Sequence, residues 1–241
     1  MLGLERRQDV YANNISNAAT PGFRRHVPVN QGFNEIMLTS MRHPFRLNAE
    51  RAPGGGQKLV ETFTDVRGGN VSVTEDPLNI ALQGPGFMGI ETPQGERFTR
   101  NGKLAIDTNG LLTTADGYHV QGTGGGGIDV SGGAISIDQD GNVYSQGLFV
   151  AQIRLLEFED PHMLTRVGQN LYQASDEAMR RSAQAVDTSV HHKSLELSNV
   201  QVPSEMVAMM MGSRVYAANQ RVINAIDETV GRLINEVAMP V

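Results

Sequence analysis

The 241-residue chain contains no cysteine, so neither a disulfide nor a cysteine-ligated metal can hold it together. Tryptophan is also missing, and aromatic residues make up only 5%. Core packing is therefore expected to fall to aliphatic side chains and to the 11 methionines. Positive charge is not in excess: 20 Lys and Arg stand against 26 Asp and Glu, a formal net charge of −6. That balance argues against nucleic acid as a partner, because displacing counterions from phosphates needs a basic face. Arg24-Arg25-His26 is the nearest approach to a basic run, and three residues are too few. No stretch reaches the roughly 20 apolar residues that span a bilayer, so direct membrane insertion is not expected. Met1 to Arg7 hold no apolar run followed by a cleavage site, so a cleaved signal peptide is not expected either.

What the chain has in quantity is glycine, 27 residues, placed at turn positions. Asn101-Gly102, Asn109-Gly110, Asp116-Gly117 and Asp140-Gly141 each read as a tight hairpin turn needing positive φ. The intervals between the first three leave room for strands only, and the middle reads as antiparallel meander. Val60 to Val73 predicts further strand. Leu148 to Glu157 predicts another, with Phe149, Ala151, Ile153 and Leu155 alternating.

The two ends differ from the middle. Residues 2–19 carry Leu2, Leu4, Val10, Tyr11 and Ile15 at loosely helical spacing, stopped by Thr20-Pro21-Gly22. Pro203 suits the first turn of a helix, and Glu205 suits the positive end of its dipole. Beyond it Met209, Tyr216, Ile223, Val230 and Val237 recur at every seventh position, widened by Val215, Val222, Ile226 and Leu233. Such a helix, about 50 Å long, is longer than a small β-domain can cover. The fold class is thus α+β, in four stretches: residues 1–22 with 195–241 as a terminal helical domain, 23–60 as an extended arm closing in Pro53-Gly54-Gly55-Gly56, 61–175 as the β-rich domain, and 176–194 as a return linker.

Groups that could carry chemistry have simpler readings. His191-His192 read as a solvated pair, since neighbours on a helix point about 100° apart and no third ligand lies near. Asp138-Gln139-Asp140-Gly141-Asn142 resembles a calcium loop, but glycine falls fourth instead of sixth and Phe149 stands where a glutamate is needed. Gly122-Thr123-Gly124-Gly125-Gly126-Gly127 lacks the lysine of a phosphate loop and reads as a surface loop. Neither catalysis, nor a metal, nor a cofactor is expected. A carbohydrate-acting enzyme would need paired carboxylates and aromatic platforms. A monomeric secreted β-rich binding module would leave the terminal stripe without a partner.

Ala12-Asn13-Asn14-Ile15-Ser16-Asn17-Ala18-Ala19-Thr20-Pro21-Gly22-Phe23-Arg24 resembles the N-terminal signature of the flagellar rod and hook proteins. Ser198-Asn199-Val200 with Glu205-Met206-Val207, and Arg214-x-Tyr216, are similar to that family's C-terminal segment. Asp76-Pro77-Leu78, Gly84-Pro85-Gly86-Phe87 and Phe98-Thr99-Arg100-Asn101-Gly102 match its central stretches. Phe158-x-Asp160-Pro161 with Leu164-x-Arg166-x-Gly168-x-Asn170-Leu171-Tyr172 looks most like the proximal-rod branch, with the distal-rod branch next. The family usually begins about a turn or two before the position of Leu4.

The resemblance implies a structural subunit that polymerises into a hollow shaft. Its N- and C-terminal helices pair as a coiled-coil inner domain, with the β-domain outside. Implied partners are copies of itself, other axial rod and hook proteins, and the flagellar type III export apparatus. The implied place is the basal-body rod in the periplasm. Subunit-interface residues would be Asn13, Asn14, Ile15, Asn17, Pro21, Gly22, Phe23, Ser198, Asn199, Val200, Met206, Met209, Tyr216, Ile223 and Val230.

Overall fold

A computed structural model of the chain describes residues 2–31, 58–168 and 170–237. The described residues are α+β with antiparallel strand pairing. The helices are α1 (Leu2–Ser16), α2 (Asp176–Arg180) and α3 (Val202–Val237). The strands are β1 (His26–Gln31), β2 (Lys58–Thr64), β3 (Val71–Val73), β4 (Ile80–Gln83), β5 (Phe87–Thr92), β6 (Gly95–Thr99), β7 (Leu104–Ile106), β8 (Leu112–Thr114), β9 (His119–Val120), β10 (Ile135–Ile137), β11 (Asn142–Ser145), β12 (Leu148–Gln152), β13 (Leu155–Phe158), β14 (Leu164–Val167), β15 (Leu171–Ala174), β16 (Ser182–Gln184), β17 (Ser189–His192) and β18 (Ser194–Glu196). The chain forms two compact units, Met1–Ser16 with His26–Phe63 and Gln201–Val241, and Asn17–Arg25 with Thr64–Val200. Much of the arm expected over 23–60, including Pro53 to Gly56, lies outside the described residues; on either side of it β1 pairs with β2.

In the first unit, the middle and C-terminal end of α1 pack against the N-terminal part of α3, where Gln8 Nε2 donates to Ser213 Oγ at 3.0 Å and Asn14 reaches Glu205. Gly212 lies beside the Gln8 side chain, where a methyl group would have room. Burial then falls away along α3. Glu205 is fully buried and Met209 and Tyr216 are half-buried, but every residue from 217 to 230 is exposed.

In the second unit, one sheet runs β14-β15-β6-β5-β9-β8-β7, with β13 joining β5 to β16. A separate three-stranded sheet runs β10-β11-β12. An aliphatic core fills the unit, with Ile80, Met88, Ile90, Leu112, Val120 and Val143 all at 0% exposure. Met88 is the one methionine fully buried among the described residues, so aliphatic side chains carry more of the packing than composition suggested. The scarce aromatics gather in a second cluster. Phe87 meets Phe158 and Tyr172 edge-on at 5.9 and 5.3 Å, and Phe98 meets Phe158 at 5.0 Å.

Two turns repeat one design. In Asp107–Leu111 the first carboxylate accepts the N–H groups of Asn109 and Leu111 at 2.9 and 2.8 Å. In Asp138–Asn142 it accepts those of Asp140 and Asn142 at 3.0 and 2.8 Å. Gly110 and Gly141 supply φ of 82° and 78°, and each loop delivers a fully buried residue, Leu112 or Val143. The calcium-like segment is therefore the second copy of a side-chain-capped turn.

Three expectations are corrected by contacts remote in sequence. Gly102 is not a positive-φ turn residue. A Cβ there would lie 1.8 Å from the Ile80 carbonyl oxygen, so close backbone approach is what demands glycine. The strand expected over 148–157 is two strands, since Ile153 leaves the β11 ladder to bridge Gly122. Residues 176–194, expected as a linker, form α2, β16, β17 and the first residue of β18. Ser175 caps α2 by accepting from Ala178 N. His191 and His192 lie on β17, where neighbours point to opposite faces, and their Nε2 atoms contact Gln83 Oε1 and the Pro77 carbonyl.

Candidate functional site

The N- and C-terminal signature segments build one polar cluster within each unit. In the first, α1 places Asn14 at 0% exposure. A buried amide must be satisfied, and this one has main-chain partners in both senses. Its Oδ1 accepts from His26 N at 2.9 Å, and its Nδ2 donates to His26 O at 2.8 Å. The same Nδ2 donates to Glu205 Oε2 at 3.0 Å, a carboxylate in the first turn of α3. One asparagine thus docks the start of β1 and the start of α3 on α1.

In the second unit, the chain turns at Gly22, whose φ is +69°. A Cβ there would lie 2.4 Å from Arg100 O, so only glycine fits. Its N–H donates to Glu196 O at 2.8 Å, drawing the TPGF segment onto the residue that ends β18. Phe23, 1% exposed, lies under the Arg166 guanidinium, 4.3 Å from the ring centroid. Asn170 Nδ2 donates to Pro21 O at 2.9 Å. The segment around 158–172 is therefore a seat for Pro21 to Phe23.

Charge fills the space beneath. Arg24 Nη2 and Glu196 Oε1 form a close ion pair at 2.7 Å, with both side chains 3% exposed. Arg100 faces the other carboxylate oxygen at 3.7 Å and donates to the Gly86 and Gly84 carbonyls. Burial, with Arg24 close by, pushes the Arg100 guanidinium down to about 10; Glu196 acts in the opposite direction. Burial likewise raises the Tyr172 phenol. Asn199 completes the cluster: Oδ1 accepts from Arg25 N at 2.7 Å, and Nδ2 donates to the Asp65 and Arg67 carbonyls.

Of the residues named from sequence, Asn14, Asn17, Gly22 and Phe23 are buried within the chain. Ile15, Pro21, Ser198, Asn199, Val200, Met209 and Tyr216 are half-buried, while Asn13, Met206, Ile223 and Val230 are exposed. Sequence reading missed Glu205, Glu196, Arg100, Arg166 and Asn170 as members of these clusters. The available signal was that Glu205, Arg100, Arg166 and Asn170 each sit inside a quoted signature stretch, whereas Glu196 sits in none.

The segments that build these clusters are the ones that resemble flagellar axial proteins, and family comparisons agree along the chain. A family model described as Flagella basal body rod protein matches residues 4–24. Flagellar hook protein FlgE/F/G D1 domain matches 81–145, and Flagellar basal body rod FlgEFG protein C-terminal matches 192–236. The chain is 30% identical to the flagellar basal-body rod protein FlgG of Buchnera aphidicola subsp. Schizaphis graminum, over 96% of this chain and 95% of that one. It is 27% identical to the FlgG of Bacillus subtilis, over 98% and 95%, and 28% identical to the FlgF of Caulobacter vibrioides, over 89% and 85%. The chain belongs to the flagellar basal-body rod protein family, a structural protein of the flagellar basal body.

Proposed function

We propose that the chain is a rod subunit that polymerises through its terminal helices into a hollow shaft, α1 and α3 pairing as a coiled-coil inner domain. One observation carries this reading. Every residue of α3 from 217 to 230 is exposed in the single chain, among them Val222, Ile223, Ile226 and Val230. A helix is held chiefly by packing of its apolar face, so those positions call for neighbouring subunits. Asn13, Met206, Ile223 and Val230 would contact neighbours directly, and Met209 and Tyr216 would sit at the margin. Asn14, Asn17, Gly22, Phe23 and Asn199, with Ile15, Pro21, Ser198 and Val200, would set the geometry of the assembling ends. Domain boundaries follow this division: helical ends inside and the β-rich unit outside, with export through the flagellar type III apparatus and other axial proteins as neighbours.

The position along the rod is the finer point. The segment 158–172 favours the proximal branch, whereas relatives named FlgG, the distal-rod protein, are matched over more of their length than the FlgF relative above. The full-length match favours the distal reading. The test is cryo-EM of basal bodies from a strain lacking the gene. A rod that ends short of its distal part supports the distal reading, loss of the proximal part supports the other branch, and an intact rod overturns both.

A further inference from the structure

Sulfur chemistry in this chain falls to methionine, since there is no cysteine among its 241 residues. Four of the 11 methionines crowd into positions 206–211 near the start of α3: Met206, Met209, Met210 and Met211. Their exposure is unequal for a helical reason. Glu205 is buried, and Ala208, Met209, Gly212 and Tyr216 are half-buried, the spacing of a line that meets α1. Met206 and Met210 lie one turn apart beside that line, 50% and 53% exposed. Met211, 61% exposed, lies on the face away from α1. Val207 stands one turn before it and Val215 one turn after, both exposed, so its thioether sits in the middle of an apolar row open to solvent. Elsewhere Met88 is at 0% exposure, and Met163 and Met179 pack half-buried against the aromatic cluster.

Exposure decides which thioethers an oxidant in solution reaches. Hydrogen peroxide transfers one oxygen atom to the sulfur: the O–O bond breaks, an S–O bond forms, sulfur loses two electrons, and the second oxygen leaves as water with both protons. The product is a sulfoxide, polar and chiral, whose oxygen asks for a hydrogen-bond donor. Along the row Val207, Met211, Val215 the neighbouring side chains offer none. A packing partner would therefore bury that oxygen unsatisfied, which opposes contact. Methionine suits an interface because its thioether is soft and adaptable, and the same sulfur makes the interface open to oxidation. A sulfoxide reductase reverses the change: two thiols become a disulfide, and the oxygen leaves as water.

We propose that Met206, Met210 and Met211 form a peroxide-modified site on the unassembled subunit, where sulfoxide formation blocks packing of α3 against neighbours until a thiol-dependent sulfoxide reductase restores the thioethers. The modification concerns the single chain, and its effect on assembly rests on the rod-subunit reading. Purified full-length subunit is treated with hydrogen peroxide and its peptides are mapped by mass spectrometry. Met206, Met210 and Met211 gain oxygen about tenfold faster than Met88, and equal rates overturn the site. A sulfoxide reductase with dithiothreitol returns the starting masses; oxygen retained at all three overturns the reversal. In isolated rods the same methionines react no faster than Met88, and reaction as fast as in the free subunit overturns the claim that assembly covers them. Cells are also exposed to peroxide, and subunit in basal bodies is measured for the parent and for a chain carrying Met206→Leu, Met210→Leu and Met211→Leu together, changes that keep apolar volume. The parent's recovery falls about fivefold and that of the substituted chain is unchanged; an equal fall in both overturns the block on assembly. Absence of the subunit from basal bodies of untreated parent cells overturns the rod reading and the block with it, while the peptide map decides the modification site by itself.

Discussion

Glu196 is a single carboxylate between two guanidinium groups, Arg24 at 2.7 Å and Arg100 at 3.7 Å, all of them buried. Removing it would leave two like charges facing each other without water. Glu196→Gln is therefore expected to lower the stability of the β-rich unit by about 3–5 kcal/mol, read by denaturant unfolding. Replacing all three members with apolar residues of similar volume is expected to recover most of that loss, because desolvation of the ions disappears along with their attraction. Gly22→Ala tests a steric argument at the same place. The new methyl would meet the Arg100 carbonyl in a backbone conformation that L residues resist, and a loss of about 1–3 kcal/mol is expected. An unchanged unfolding midpoint for either variant would contradict the reading of this cluster.

At the scale of elements, α3 and the repeated turns make separate predictions. Ile223 is exposed in the single chain, so Ile223→Asp is expected to change subunit stability by no more than about 0.5 kcal/mol. The same change puts a charge on the stripe offered to neighbours and is expected to abolish motility at normal subunit levels. Swimming cells would refute it. In hydrogen exchange on the unassembled subunit, amides of 217–230 are expected to exchange well before those of 205–213. The turns respond to acid. Asp107 is held below the usual carboxylate range by the N–H of Leu111 first and by Asn109 after it. At Asp138 burial pushes upward, but hydrogen bonds from Asn142, Asp140 and Tyr144 outweigh it. Depressed folded values give stability that is complete above the usual carboxylate pKa near about 4 and disappears as pH falls through the lower folded values. Thermal unfolding should therefore weaken below about pH 4. The double change Asp107→Asn with Asp138→Asn, which keeps the accepting oxygen but cannot titrate, should flatten that fall. These turns were legible in sequence because their causes are local: a carboxylate, a glycine and the hydrogen bonds between them. The break at Ile153 was not, since the alternation of Phe149, Ala151, Ile153 and Leu155 runs straight through it and only the bridge to Gly122 ends the ladder.

For the whole molecule, the class of fold and the helical ends could be read from periodicity, as the observed span of α3 from Val202 to Val237 shows. The clusters could not, because Arg24, Arg100 and Glu196 resemble ordinary solvated charges until the sheet brings them together. Nor could the order in 176–194, whose short strands take their identity from partners β13, β4 and β3. The pairing of β3 with β18 has a consequence for how such a chain can change. Leu197 N donates to Asn70 O at 2.8 Å, and Val71 lies opposite Glu196. The β-rich unit thus begins and ends at one hydrogen-bonded stem, as a loop of RNA begins and ends at its last base pair. An insertion beyond that stem that spares Arg100, Arg166 and Asn170, which meet Glu196, Phe23 and Pro21, would leave the two strands that emerge from it in the same place. Between Val73 and Ser194 the unit can then lengthen at an open turn such as Gly124 to Gly126, where an added Cβ would meet nothing within 4 Å, while the stem keeps its ends in register.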